Sequence, residues 1–260
     1  MGWHEKCCTK AIDTAGARGR GVVSGDWAQG MGCGDRLIAV VGLAFEARIA
    51  AGPGIRVICS GNGEGLAASL SRAIRGGAQG VISFGVAGGL SPALRPGTCV
   101  IASAVLFETD GINRINTHDD WSRQLLQAIP GAVRGMLFGV PDPVANPRAK
   151  AALYLKTGAV AVDMESHIVG GVAAAHGLPM AAIRVIADPA ARAIPAAALA
   201  AMRPNGTTDI SAMIWSMLKR PADLPAVVRI ALDARAARAT LRRGRQLLDP
   251  GLGASAFQKA

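Results

Sequence analysis

The stretch Gly158–Asp188, GAVAVDMESHIVGGVAAAHGLPMAAIRVIAD, decides the fold. Its opening apolar run ends on two carboxylates, Asp163 and Glu165, with Met164 between them. A short continuous run rich in valine reads as a buried strand, and the residues after it read as a helix. The closing segment, Met180–Ile186, is apolar apart from Arg184, reads as another strand, and stops at Asp188-Pro189. Strands of unbroken apolar character separated by helices indicate a mainly parallel sheet covered on both faces.

The same plan extends upstream. Residues 37–41 read as a strand, Gly42 as a turn, and the residues after it as a helix carrying Glu46 and Arg48. A second strand is expected at 55–59, then a glycine-rich turn at 60–65 and a helix from Leu66. GVISFGVAGGL (80–90) reads as a third strand entering a glycine turn at 85–89, and TCVIASAVLF (98–107) as a fourth strand. Residues 108–120, rich in Asn, Asp and Gly, read as a loop before a helix near 121–129. There is no fixed-period repeat and no linker within 35–220. The expected organisation is a flexible tail over 1–34, one α/β domain over 35–222, and a basic helix and tail over 223–260.

Composition agrees with this plan. In 260 residues, 50% are hydrophobic, 18% are charged and mean hydropathy is +0.30, which excludes wholesale disorder. Aromatic residues make up only 4%, so aliphatic side chains must build the interior, which disfavours an aromatic-rich β sandwich. The five cysteines include no CxxC, so neither a disulfide framework nor a zinc knuckle is supported; Cys59 and Cys99 read as core thiols. The N-terminus has no apolar signal region and no later run has ~18 apolar residues, so a soluble, cytoplasmic protein is expected. Net charge is +10 and suits an anionic partner.

In open α/β sheets ligands bind beyond the strand C-termini. That singles out Glu46, Gly61–Gly65, Gly85–Gly89, Glu165 and Asp188. Ser60–Gly65 spells G-x-G-x-G, with Leu66 where a dinucleotide fingerprint needs its third glycine, so its backbone N–H groups suit an anion better than a dinucleotide. Val86, Ala87 and Gly88 offer backbone groups and an apolar face, suited to a planar heterocycle or a sugar. Asp163 and Glu165 either serve the start of the following helix or present a carboxylate to a vicinal diol, with Met164 against the sugar. Asp188 is either a turn former or a desolvated general acid. The four histidines show no metal-ligand spacing, and no metal or cofactor is expected.

VISFGVAGGLSPALRPGTCVIAS (81–103), taken with the opening stretch, resembles the nucleoside phosphorylase and nucleosidase superfamily. The resemblance covers about 37–190. VGLAFEARIAAGPG (41–54) and ARAIPAAALAAMRPNGTTD (191–209) look more like its hopanoid-associated phosphorylase branch. It implies a three-layer fold with a central, mostly parallel, twisted mixed sheet flanked by helices. It also implies cleavage of a purine N-glycosidic bond, by phosphorolysis or, alternatively, by hydrolysis as in methylthioadenosine/S-adenosylhomocysteine nucleosidases. The implied substrates are an adenine nucleoside of adenosylhopane type and phosphate, in a homo-oligomer. Carried over, Asp188 protonates the base at N7, Glu46 stands near the place of the carboxylate that orients water, Glu165 holds the ribose hydroxyls, Met164 packs beside the sugar, and Gly85, Val86, Ala87 and Gly88 line the pocket.

The resemblance is broken at three places. Ser83 stands where phosphorylases place an arginine, Val86 where Ser or Thr is usual, and Ala187 where Ser is common. Phosphate would then be held by Arg48 with the backbone of Gly61 and Gly63. Finally, residues 219–245 hold eight basic side chains against Asp223 and Asp233. Leu224, Val228 and Ala231 read as an apolar stripe continued in phase by Arg235, Arg238, Arg242 and Arg245, which is either a frayed solvated end or a peripheral contact for an anionic membrane. No specific nucleic-acid partner is expected, and truncation near residue 222 is expected to spare catalysis.

Overall fold

The computed structural model describes residues 36–60, 65–194 and 224–254. The strands are β1 (Leu37–Val41), β2 (Ile55–Cys59), β3 (Gly80–Gly89), β4 (Cys99–Glu108), β5 (Ile112–Asn116), β6 (Val133–Gly139), β7 (Ala161–Asp163) and β8 (Met180–Asp188). The helices are α1 (Ala44–Ala50), α2 (Leu66–Ile74), α3 (Asp119–Ala128), α4 (Pro147–Thr157), α5 (Ser166–Ala175) and α6 (Leu224–Leu247). All eight strands join one sheet, and the α/β fold expected from the sequence is the fold observed.

Pairing is parallel for β2–β1, β1–β3, β3–β8, β4–β6 and β6–β7, and antiparallel for β4–β8, β4–β5 and β3–β7. β8 therefore lies between β3 and β4. The short β7 pairs with both β6 and the end of β3, so β3, β8, β4, β6 and β7 close on themselves. β1, β3 and β8 run in the same direction, so their C-terminal ends at Val41, Gly89 and Asp188 point the same way, with β3 and β8 reaching beyond β1.

The alternating faces of the strands build two cores. Leu37, Ala39 and Val41 join Phe84, Ile183, Trp121 and Leu125 in one. Ile38 and Val40 join Val81, Ala182, Leu70 and Val169 in the other. Cys99 lies in the first, as expected of a core thiol, with burial pushing its pKa up to about 12. Cys59 is half-buried.

Three local expectations are corrected. Gly85–Gly89 is not a turn: β3 runs through Gly89, which pairs with Ala161, while Gly85–Gly88 pair along β8. The loop over 108–120 contains β5, an exposed strand paired with β4 that has little apolar signal because it buries so little. At the C-terminus, the buried face of α6 is Ala237 and Leu241, continued by Leu248, all in the first core. The expected stripe instead points outward: Val228 is 50% exposed and Ala231, Arg235, Arg238 and Arg242 are exposed, while Arg245 bonds the carbonyls of Asp249 and Pro250. Arg238 stacks over the Phe45 ring of α1, and the Trp121 indole donates to Leu252 O at 2.9 Å. The helix is thus part of the main core, and truncation near 222 would remove core rather than a tail. The expectations for residues 1–34, Gly61, Gly63 and the side chain of Leu224 lie outside the described residues.

Candidate active site

A cavity of 190 Å³ opens at the strand ends, lined by Glu46, Val86, Ala87, Gly88, Met164, Glu165 and Asp188. These are the catalytic and base- or sugar-binding positions expected from the sequence, except Gly85, which is not on the cavity wall. Asp163 joins them, and Leu43, Val140, Pro143, Val144, Val162 and Ile194 supply apolar wall.

Glu46 sits in the first turn of α1 because the chain bends at Gly42 immediately after β1. Its Oε2 accepts from Gly42 N at 2.9 Å and Leu43 N at 2.8 Å, and its Oε1 accepts from Val86 N at 2.7 Å. Burial raises its pKa despite the nearby Arg184 and these three N–H donors. The crowding explains two glycines: a Cβ at Gly85 would stand 2.5 Å from Glu46 Oε1 and 2.7 Å from Arg184 Nη1, and one at Gly42 would stand 2.6 Å from Glu165 Oε1.

The second cluster surrounds Arg184, a fully buried guanidinium in the middle of β8. Its Nε donates to Asp163 Oδ2 at 2.5 Å, and its Nη2 to Ser83 Oγ at 2.7 Å and Glu165 Oε2 at 3.1 Å. Asp163 also accepts from the backbone and hydroxyl of Ser166, so it caps α5 as one of the two readings proposed. Burial is the largest influence on Glu165, with Arg184 opposing it and Asp163 and Glu46 adding to it; its pKa rises to about 7. His167 packs near Phe107, its pKa lowered by burial, and is absent from the cavity wall.

Asp188 ends β8 close beside the glycines of β3: a Cβ at Gly88 would lie 3.3 Å from each of its carboxylate oxygens. Its Oδ2 accepts from Lys150 Nζ of α4. Burial raises the Asp188 pKa, outweighing Lys150 and Arg192, which lower it.

Arg48 is a candidate side chain that the structure does not bring to the cavity. It lies two residues, about 200°, round α1 from Glu46; its side chain is exposed and its Nε donates to Ala44 O. The cation beside the site is Arg184, on the strand next to Ser83 rather than on Ser83's own strand. A single charge in an otherwise apolar strand was its sequence signal, because a buried arginine must be paired. Lys150 left no comparable signal.

Fold and cleft define a three-layer α/β enzyme whose carboxylates converge at the strand ends. The chain belongs to the phosphorylase superfamily, whose sequence model matches residues 39–219. Solved structures agree on the fold. A mutant 5′-methylthioadenosine/S-adenosylhomocysteine nucleosidase from Helicobacter pylori with 5′-methylthioadenosine in its active site has a TM-score of 0.56 at 16% identity, covering 83% of this chain and 100% of that one. The Neisseria meningitidis nucleosidase in complex with methylthio-immucillin-A has a TM-score of 0.55 at 18% identity, covering 81% of this chain and 97% of the other. Futalosine hydrolase of Helicobacter pylori has a TM-score of 0.50 at 19% identity, covering 59% and 88%. No curated protein matches the chain significantly in sequence.

Proposed function

We propose that this protein releases adenine from an adenine nucleoside by cleaving its N-glycosidic bond. The observation that carries the reading is that Asp188 and Glu165 line one cavity, together with Glu46 and the apolar edge of β3. Asp188 gives its proton to N7 of the departing base, which relieves the poor leaving group. Glu165, once ionised, accepts hydrogen bonds from both ribose hydroxyls, and Met164 covers the sugar. The carboxylates beside the sugar stabilise the oxocarbenium-like transition state.

The sequence reading takes phosphate as co-substrate; the site favours water. Three backbone N–H groups that could grip an anion are occupied by Glu46, and Arg184 is shared between Asp163 and Glu165. A phosphate dianion there would face three carboxylates with one guanidinium in compensation. A neutral water has no such penalty, and Glu46 is placed to orient it.

An adenosylhopane-type lipid nucleoside remains the proposed substrate, supported by the apolar wall of Val140, Pro143, Val144 and Ile194. Peripheral membrane contact through α6 is supported by its exposed Arg235, Arg242 and Arg243 beside Leu232, which is 59% exposed. Homo-oligomerisation stays a proposal resting on the resemblance. The test is adenine release from a panel of 5′-substituted adenosines with and without phosphate. Release at equal rates, with free sugar as co-product, is expected. Phosphate-dependent release would overturn the choice of water, and no release from any member would overturn the proposed reaction.

A further inference from the structure

Lys150 is completely buried, at 0% exposure. Its ammonium has three donors and three acceptors: Asp188 Oδ2, Pro189 O at 3.2 Å and Arg192 O at 3.2 Å. Two of these bonds fasten the chain leaving β8, which is also stapled by Ile194 N donating to Ala145 O at 3.0 Å. The third goes to one oxygen of the candidate acid. Among the described residues no donor holds the other oxygen, Oδ1, and Asp188 lines the cavity. A lysine needed only to fasten a loop could have taken carbonyl oxygens alone.

We propose that Lys150 is a positioning residue that tunes Asp188 as an acid, aiming its free oxygen at the base and stabilising the carboxylate as it forms. This rests on Asp188 being the proton donor. Before cleavage the proton is on Oδ1. In the step the Oδ1–H bond breaks, the proton goes to N7, and its electron pair stays on Asp188, whose negative charge grows beside the ammonium of Lys150. The glycosidic electron pair leaves with the base.

Among the described residues the other charged groups facing Asp188 are few. Arg192, in the loop after β8, also favours the ionised form, but it is paired with Asp233 of α6. Asp163, Glu165 and Glu46 line the same cavity and disfavour a further negative charge there. Lys150 is the cation in direct contact.

The test compares pH profiles of adenine release for Lys150→Met and Lys150→Gln with wild type. A neighbouring cation lowers a carboxyl pKa by about 1–3 units. Both variants should therefore move the alkaline limb, where Asp188 loses its proton, upward by about 1–3 pH units. A weaker acid also donates less readily, so kcat should drop about tenfold or more at little change in KM. Gln keeps a donor to Asp188 without the charge, so it separates charge from hydrogen bonding, and it serves alone should Met fail to fold. Neither need unfold the protein, because Asp188 can take up a proton when its cation goes. An unmoved limb in a folded variant would overturn the proposal and leave Lys150 a packing strut. Asp188→Asn distinguishes the underlying reading: if it turns over near the wild-type rate, the acid assignment fails and this inference with it. If it is inactive while the lysine variants keep the wild-type limb, only the role of Lys150 fails.

Discussion

Replacing Arg184 with methionine should destabilise the protein in a strongly pH-dependent way. The guanidinium is fully buried and bonds Asp163, Glu165 and Ser83, so its loss strands two carboxylates in the interior. Breaking a buried pair by removing one partner costs about 3–5 kcal/mol. A stranded carboxyl has an alternative, which is to take up a proton, and this becomes the cheaper course as pH falls. With an ordinary value near 4, neutralising it costs about 1.4 kcal/mol per pH unit above that, or about 5 kcal/mol at pH 8 and about 2 kcal/mol at pH 5.5. In the variant the folded state holds protons that the unfolded state has released, so stability falls as pH rises. Urea unfolding at the two pH values should show the deficit relative to wild type shrinking on acidification by about 3 kcal/mol for a carboxyl protonated only in the variant, and by less for Glu165, whose pKa of about 7 already protonates it in the wild type at pH 5.5. An equal deficit at both would mean that Arg184 matters through packing volume, and no deficit at pH 8 would refute the buried cluster itself.

Other outcomes follow from the same geometry. In its proposed role Glu165, with its pKa at about 7, accepts from the ribose only when ionised, so kcat/KM should fall about tenfold per pH unit below that value, and Glu165→Gln should abolish this acid limb while raising KM. Gly85→Ala should cost about 1–3 kcal/mol in thermal unfolding and most of the activity, because its Cβ would displace both Glu46 and Arg184; wild-type turnover would mean that the site tolerates a shift of Glu46. Truncation after residue 222 should give insoluble or molten protein, read by near-UV circular dichroism, since Ala237, Leu241, Leu248 and Leu252 fill the first core; a folded product would mark α6 as dispensable.

Much of the cleft was legible in the sequence because its candidate carboxylates stand at strand ends, and strands end where apolar runs do. Asp188 and Glu165 announce themselves as acids terminating valine- and isoleucine-rich runs. The proposed partners of those acids are harder to read. Arg184 alternates with neighbours that all face protein, so no period separates its face from a solvent face. Lys150 belongs to RAKAALYLK, a sequence that a surface helix would also use, and its burial comes with its bonds to the end of β8 and the loop after it. Arg48 failed for a rotational reason: two residues along a helix reverse the facing. The buried face of α6 differs from the expected stripe because Leu241 and Leu248 are its only strongly apolar members among the described residues, and Ala237 and Gly244 carry little hydrophobic signal.

The position of β8 between β3 and β4 has a consequence for synthesis on the ribosome. The central strand of the sheet, and the proposed proton donor at its tip, emerge after the first seven strands have left the exit tunnel. Until then β3 and β4 present bare apolar edges with nothing to join them, a state prone to sticking to other chains. Assembly of the catalytic end must wait for distant pairings, which makes folding slow and chaperones natural helpers of the nascent polypeptide.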